Sequence, residues 1–475
     1  MPNHNKTKIV ATLGPATDTK EILTELASNG VNVFRINFSH ADYEDVERKV
    51  NIIREINKEK GYNVAILADL QGPKLRVGVM EDDVILEDGD TFTFTTVKCI
   101  GTKEKAFMTY QRFPKDVKVG EAIMVDDGKL RFEVISTNKE NEVVVKVIVG
   151  GPLRSKKGVN LPNTAISLPA LTKKDMEDAV FAIGLDVDWF ALSFVRTPED
   201  LRMLRDLIAQ HSDYRIPIIA KIEKPEAVAN IDALIPYCDG LMVARGDLGV
   251  EIPMQDVPLI QKKLVRRAKR ARIPVIIATQ MMETMIDNPV PTRAEVNDVA
   301  NSIMDGADAV MLSGETSVGK FPLRVIQKMS EIIKAVENSK MIKVPQEPPH
   351  IRTNRFVTKS ICYHAALMAN DTDAAAICTL TNSGYTAFQI SSWRPRTHVL
   401  AFSTDKRILG KLNLLWGVRA FYYDKNLSTD DTVLDINNIA KEKGFVTSGD
   451  IIINLASMPV EARGMVNTLR VSEID

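Results

Sequence analysis

The chain has 475 residues, enough for about three domains, with 45% apolar and 26% charged side chains and a formal net charge of −1. That balance belongs to a globular protein with a sizeable core, and it carries no basic excess suited to nucleic acid or an anionic membrane surface. The four cysteines, Cys99, Cys238, Cys362 and Cys378, form no CxxC pair, which argues against a zinc site or disulfide framework and fits a reducing compartment. The opening residues MPNHNKTKIVATLGP lack the apolar core of a signal peptide and no run is long enough to span a bilayer, so the expected location is cytoplasmic.

From the N-terminus, the apolar runs KIVATLG, NVFRINF and NVAILAD alternate with helix-period stretches such as TKEILTELASNG. Between Asp69 and about Leu171 the helical pattern gives way to alternating β-rich text. This text comprises VILEDGDTFTFTTV, AIMVDDGKLRFEVIS and NEVVVKVIVGG, with turns at Asp127–Gly128 and STNKENE. It predicts a small β-barrel domain over residues 71–170, inserted after the third strand as a lid. The first rhythm then resumes with WFALSFV, PIIAKIE, GLMVARG, PVIIATQ and AVMLSGE, separated by stretches such as TPEDLRMLRDLIAQH and VPLIQKKLVRRAKRA. Eight near-continuous apolar strands alternating with helices predict an α/β fold, a closed (β/α)8 TIM barrel over residues 1–70 and 171–340.

The stretch KMIKVPQEPPHIRTN reads as a linker. Residues 352–475 read as a C-terminal α/β domain with a mixed sheet, its strands AAAICTLT, HVLAFST, VRAFYYD, DIIINLA and NTLRVSE. The turn TNSGYTA follows the first of these and opens a helix, so Thr381, Asn382, Ser383 and Thr386 suit the phosphate of an effector. A plain Ser/Thr-capped helix start is the alternative.

Barrels of this kind bind ligands at the carboxyl ends of their strands. There the sequence places Pro15; Arg35, Asn37, Ser39 and His40; Asp69, Lys74 and Arg76; Ser193 and Arg196; Lys221 and Glu223; Arg245 and Asp247; Thr279 and Gln280; and Ser313 and Glu315. Within IPIIAKIEKPEAVANIDALIPYCDGLMVARGDLGVEIP, read as β-α-β, residues two apart share a strand face, which sets Lys221 beside Glu223 and Arg245 beside Asp247. Lys and Glu inside Ile/Val/Met runs are rarely buried unless paired or functional. Glu223 and Asp247 on neighbouring strands suit a hard ion such as Mg²⁺, and Arg35, Arg76 and Lys221 can neutralise a multiply charged anion. Together they fit phosphoryl transfer, where catalysis is positioning plus charge stabilisation. No Ser-His-Asp set or histidine cluster competes with that reading, and His40 fits a structural role as well as a catalytic one. GETSVGKF matches GxxxxGK, but Phe321 replaces the Mg²⁺-binding hydroxyl of a Walker loop and Pro322 follows, so it reads as a barrel loop.

Six ordered blocks, TLGPAT, FRINFSH, IIAKIEKPEA, MVARGDLGVEIP, IATQMMETM and MLSGETSVGKFP, resemble the motifs of the pyruvate kinase family, bacterial type, over nearly the whole chain. The resemblance implies phosphoryl transfer from phosphoenolpyruvate to ADP, giving pyruvate and ATP. It implies Glu223 and Asp247 as ligands of Mg²⁺ or Mn²⁺, Lys221 as the group that stabilises the moving phosphoryl, and Arg35 as a phosphate contact. The amides of Gly246 and Asp247, with Thr279 and Ser193, would hold the substrate, while Thr279 and Ser313 help deliver a proton through water. Asn37, His40, Arg76 and Lys157 would face the nucleotide.

Two departures separate the chain from other members. Lys74 stands where potassium-dependent relatives carry Glu, and Leu70 where they carry Thr. The ammonium of Lys74 is therefore expected to serve the monovalent-cation pocket formed by Asn37, Ser39, Asp69 and Leu70, as in the potassium-independent members, so that K⁺ is not required. Asn382 and Tyr385 replace basic residues of the sugar-bisphosphate-activated animal members, and PVEARGM replaces their late Gly-Ser-Gly loop. Fructose 1,6-bisphosphate is thus not the expected effector, although another phosphorylated effector remains open. A homotetramer is implied by the family. The rival readings are a Mg²⁺-dependent aldolase acting on pyruvate enolate, which leaves Lys221 and the lid without a role, and a catalytically silent metabolite-binding regulator.

Overall fold

The computed structural model describes residues 5–339, 341–342, 344–349, 353–425, 427–458 and 465–475, without the side chains of His40 and Thr429. Parts of the linker, and the PVEARGM loop before Met465, lie outside the described residues.

Each of the eight apolar runs forms a strand: Lys8–Thr12, Val31–Asn37, Ala65–Leu70, Trp189–Leu192, Ile218–Ile222, Gly240–Ala244, Val275–Ala278 and Ala309–Leu312. They close into one parallel barrel in chain order. The runs are apolar on both faces because both faces are buried. Inward residues Val10, Val33, Leu67, Trp189, Ile219, Met242 and Ile276 fill the interior, while outward residues such as Ile9, Phe34, Ile66, Phe190 and Ile218 pack under the helices. Side-chain caps set helix starts: Thr172 with Asp175, and Thr292 with Glu295, form reciprocal caps.

After the third strand the chain leaves the barrel through Gly72. Its φ is 70°, and a Cβ there would lie 2.8 Å from Cδ2 of Phe194, so only glycine fits the exit. The lid strands Thr91–Thr95, Lys105–Phe107, Ala122–Val125, Leu130–Thr137, Glu142–Val149 and Val159–Asn160 form a six-stranded sheet, beside a two-stranded ribbon of Ile85–Leu86 and Gly151–Pro152. Bridges from Arg76 to Gly158 and from Val77 to Met108 join the sheet's two edges through one short segment and make it a small barrel. The Lys105–Phe107 and Val159–Asn160 strands were not legible in the sequence, being too short to show alternation.

The C-terminal sheet has four parallel strands, Val418–Tyr422, His398–Ser403, Ala376–Leu380 and Ile451–Ala456, with Thr468–Glu473 antiparallel at one edge. This domain docks under the amino ends of the barrel strands. Lys8 Nζ donates to the Val418 carbonyl at 2.8 Å, the ring of Phe388 lies 6.4 Å from that of Trp189, and Arg394 reaches Asp308 at 2.9 Å. Among the described residues no helix is long and apolar enough to cross a membrane.

Candidate active site

The carboxyl ends of the strands converge on Lys221, which is 8% exposed beside Asp69 and Glu223, each 1% exposed. Its Nζ donates to Ser193 Oγ at 2.7 Å and lies 3.1 Å from both Asp69 Oδ1 and Glu223 Oε1. The other Asp69 oxygen accepts from Arg35 Nε at 2.6 Å, and Arg35 is steadied by a 3.0 Å bond to Thr12 Oγ1. Glu223 Oε2 accepts from the Phe194 amide at 2.7 Å.

Burial alone would lower the pKa of Lys221, but the Asp69 and Glu223 carboxylates outweigh it and hold the ammonium above its ordinary range. Burial raises Asp69 too, yet Lys221 and Arg35 keep it below the usual carboxylate value. Glu223 is raised, by burial first and then by the nearby charge of Asp247 against the pull of Lys221. The mouth thus sets two basic side chains, Arg35 and Lys221, among three carboxylates, Asp69, Glu223 and Asp247, a setting that a cation and a phosphate can share.

The sixth strand departs from the sequence reading. It stops at Ala244, opposite Ala278 where the neighbouring strand also ends, and Arg245–Glu251 is a helix rather than a continuation of the strand. Arg245 and Asp247 therefore do not share a strand face. Arg245 turns away into Asp298 at 2.6 Å and caps the carbonyls of Thr279 at 2.8 Å and Gln280 at 3.2 Å. Asp247 stays half-buried at the mouth, with no ion pair among the described residues. Thr279 and Gln280 hold left-handed backbone, with φ of 67° and 54°, a strained state for a β-branched residue that the Arg245 cap helps maintain. Thr279 Oγ1 thereby accepts from the Gly246 amide at 2.8 Å, which places hydroxyl, amide and Asp247 around one helix start.

Other predicted residues divide. Ser193, besides holding Lys221, donates to the Leu70 carbonyl at 2.6 Å. Asn37 accepts from the Ser39 amide at 3.2 Å and so closes its own turn; the His40 side chain lies outside the described residues. Lys74 does not pair with Asp69. It is exposed, and its stem lies beside Gly158 of the lid, 3.8 Å from where a Cβ would stand. On the same lid face, Arg76 donates to the Lys156 carbonyl at 3.0 Å and Lys157 pairs with Asp126 at 2.9 Å. Arg196 belongs to the lid support, donating to the Ile166 and Leu168 carbonyls. Glu315 accepts from the amides of Met282 and Ser313 at 3.1 and 2.7 Å, so GETSVGKF is braced by its own carboxylate and offers no phosphate cradle. Sequence reasoning missed Thr12, Asp298, Lys224, Glu251 and Asn160. The last three line the cleft between lid and barrel together with Lys74, Asp127 and Asp247.

In the C-terminal domain a cavity of about 890 Å³ is lined by Thr381, Asn382, Ser383 and Thr386. Gly384, at φ 80°, lets its amide bond Thr381 Oγ1 at 2.9 Å and starts the helix. Among the described residues the cations that line the cavity are engaged: Arg355 stacks on Tyr385 at 4.3 Å, and Lys425 pairs with Asp435 at 2.8 Å.

A parallel eight-stranded barrel whose mouth pairs Arg35 with Asp69 and Lys221 with Asp69 and Glu223, with Asp247 beside them under a lid, defines a phosphotransferase. Comparison with known proteins narrows the class. The family described as "Pyruvate kinase, barrel domain" matches residues 4–326, and "Pyruvate kinase, alpha/beta domain" matches residues 359–472. Pyruvate kinase 2 of Synechocystis is 42% identical, covering all of this chain and 80% of its own length. The pyruvate kinase of Mycobacterium tuberculosis is 40% identical over 98% of both chains. A crystal structure of a pyruvate kinase from Cryptosporidium parvum superposes with a TM-score of 0.92 at 33% identity, covering 99% of this chain and 97% of that one. The chain belongs to the pyruvate kinase family.

Proposed function

We propose that the chain transfers the phosphoryl group of phosphoenolpyruvate to ADP, giving pyruvate and ATP at the barrel mouth. The observation that carries this is the buried Lys221, held by Asp69, Ser193 and Glu223 next to an Asp247 that has no ion pair among the described residues. An enzyme handling only a neutral or singly charged substrate would not need Arg35 and Lys221 both fixed there.

Glu223 and Asp247 fit a divalent ion, which the family requires: both are oxygen donors, and after burial the nearby charge of Asp247 helps to raise Glu223. Two carboxylates leave the remaining positions to substrate and water, the pattern Mg²⁺ prefers, with Mn²⁺ as the other candidate. When bound, such an ion supplies charge neutralisation of phosphoryl and enolate oxygens.

The chain's own groups do the rest. Lys221 and Arg35 bind the transferring phosphoryl, and Ser193 holds the Lys221 ammonium in line with it. The amides of Gly246 and Asp247, at a helix start, and Thr279 Oγ1 hold the substrate carboxylate, which takes the place of the present Gly246–Thr279 bond. Thr279 and Ser313 pass a proton through water to the enolate methylene carbon. Asn37, Arg76 and Lys157 face the nucleotide, and the lid excludes water.

In this reading potassium is dispensable: both Asp69 oxygens are already paired with Arg35 and Lys221, the Leu70 carbonyl is taken by Ser193, and Lys74 stands free of ion pairs among the described residues in the cleft. The TNSGYT loop takes the single phosphate of an effector at Thr381, Asn382, Ser383 and Thr386. Assembly as a homotetramer and a cytoplasmic location complete the proposal.

The assay is purified chain with phosphoenolpyruvate, ADP and Mg²⁺, and the expected products are pyruvate and ATP in equal amounts. An aldolase would act without ADP, and a silent regulator would turn nothing over; the family matches favour neither.

A further inference from the structure

The lid touches the barrel where the active-site helix ends. The lid strand Val159–Asn160 crosses that point, and Asn160 Nδ2 donates to Glu251 Oε1 at 2.8 Å. The same oxygen accepts from Lys224 Nζ at 2.6 Å, and the Lys224 and Glu251 side chains are 7% and 0% exposed. Beside them the tip of the lid hairpin meets Val250: a Cβ on Gly128 would stand 3.9 Å from Val250 Cγ1.

Glu251 is the last residue of the Arg245–Glu251 helix, and the first turn of that helix carries Gly246 and Asp247. Lys224 directly follows Glu223. The cluster therefore ties the lid to both segments that bear the carboxylates of the mouth, through one rigid helical turn on one side and one peptide bond on the other. A buried ion pair at a domain seam is poorer glue than an apolar contact of equal size, but it tolerates few relative geometries. Glu251 Oε2 is buried without a hydrogen-bond partner, so its seat lacks one donor and Asn160 is the lid's only contribution to satisfying the carboxylate among the described residues.

We propose that Asn160, Glu251 and Lys224 form a positioning latch: the Lys224–Glu251 pair, fixed to the barrel, seats the docked lid through Asn160 over the mouth and so couples nucleotide binding to phosphoryl transfer. The inference rests on the barrel-mouth reading above. None of the three residues touches the reacting atoms. Loss of the latch weakens the closed arrangement that ADP needs, while phosphoenolpyruvate, seated within the barrel mouth, is bound as before.

The test compares wild type with Asn160→Ala and Asn160→Asp. The steady-state constants for ADP and phosphoenolpyruvate, ADP binding by calorimetry and the thermal midpoint are all measured. Asn160→Ala should lower kcat/KM for ADP about tenfold, the scale of one hydrogen bond to a charged group, and leave KM for phosphoenolpyruvate within about twofold. Asn160→Asp sets a carboxylate against Glu251 and should lower kcat/KM for ADP further, by about a hundredfold. Should the Asp variant not fold, the Ala variant decides alone. Wild-type ADP constants in Asn160→Ala would overturn the latch, as would a parallel loss on both substrates accompanied by a lowered midpoint, which marks a merely structural residue. A failure of the underlying reading shows separately, as no ADP-dependent turnover in wild type, and calorimetry with ADP still reports on the latch.

Discussion

Replacing Lys221 by Met keeps most of the side chain's volume and removes its charge. Arg35 still neutralises Asp69 at 2.6 Å, but Glu223 loses the cation 3.1 Å away and stays buried. Removing one partner of a buried pair costs about 3–5 kcal/mol of stability. The catalytic loss is set by the phosphoryl group. An ammonium about 4 Å from a phosphate charge contributes roughly 4 kcal/mol at an effective dielectric near 20, and that corresponds to about a thousandfold in rate. If Lys221 acts on the transition state, kcat should fall by about that factor while KM for phosphoenolpyruvate changes less than about tenfold. Steady-state assays of pyruvate release, with folding checked by circular dichroism, give both constants. A kcat within about tenfold of wild type, with a raised KM instead, would refute the reasoning and make Lys221 a ground-state binding group. The pH dependence carries a second check. The folded pKa of Lys221 is raised by Asp69 and Glu223 against the effect of burial. Its stabilising contribution is therefore fully present below the unfolded value of about 10.4 and lost only as pH rises through the higher folded one. The part of the stability gap between wild type and Lys221→Met that comes from the ammonium should be lost only above about pH 10.

Asp247→Asn replaces a charged oxygen donor by an amide and should remove most activity at modest Mg²⁺; near-normal turnover in a Mg²⁺ titration would remove Asp247 from the metal ligands. In tetramethylammonium buffer the wild type should run at full rate, and added potassium should change little. Lys74→Glu should be slow and partly rescued by potassium, so strong stimulation of the wild type would sink the assignment. With Asn382 and Tyr385 in place of basic residues, and with Arg355 and Lys425 already engaged, fructose 1,6-bisphosphate should give no activation at micromolar concentration in initial-rate assays. Sulfate or a monophosphate should protect the TNSGYT loop from hydrogen exchange.

The barrel was legible because a strand buried on both faces must be apolar throughout, and the charges that interrupt such runs at Lys221 and Asp69 mark their open ends. The lid was legible as a change of period, from the helical repeat to alternation in LRFEVIST and a β-branched run in EVVVKVIV. Local pattern failed where the backbone changes direction within a few residues. MVARGDLGVE continues an apolar run, and nothing in its composition shows that the ladder stops at Ala244, which sends Arg245 to Asp298 and leaves Asp247 facing the mouth. Long-range pairings were equally hidden: Asn160 and Glu251 are 91 residues apart, and Thr12 meets Arg35 only because the barrel sets their strands side by side. A signal for the first of these did exist. GVEIP carries a glutamate, Glu251, flanked by Val250 and Ile252, the setting in which a charge needs a buried partner.

Phosphorus NMR of a mixture of phosphoenolpyruvate, ADP and Mg²⁺ tests the central claim most directly, because it follows the transferred atom itself. With the wild-type chain, the phosphoenolpyruvate resonance should decay at the rate at which the γ-phosphate of ATP grows, and Lys221→Met should slow both by about a thousandfold. Decay of phosphoenolpyruvate into inorganic phosphate, or no decay when ADP is present, would contradict the assignment of phosphoryl transfer to the barrel mouth.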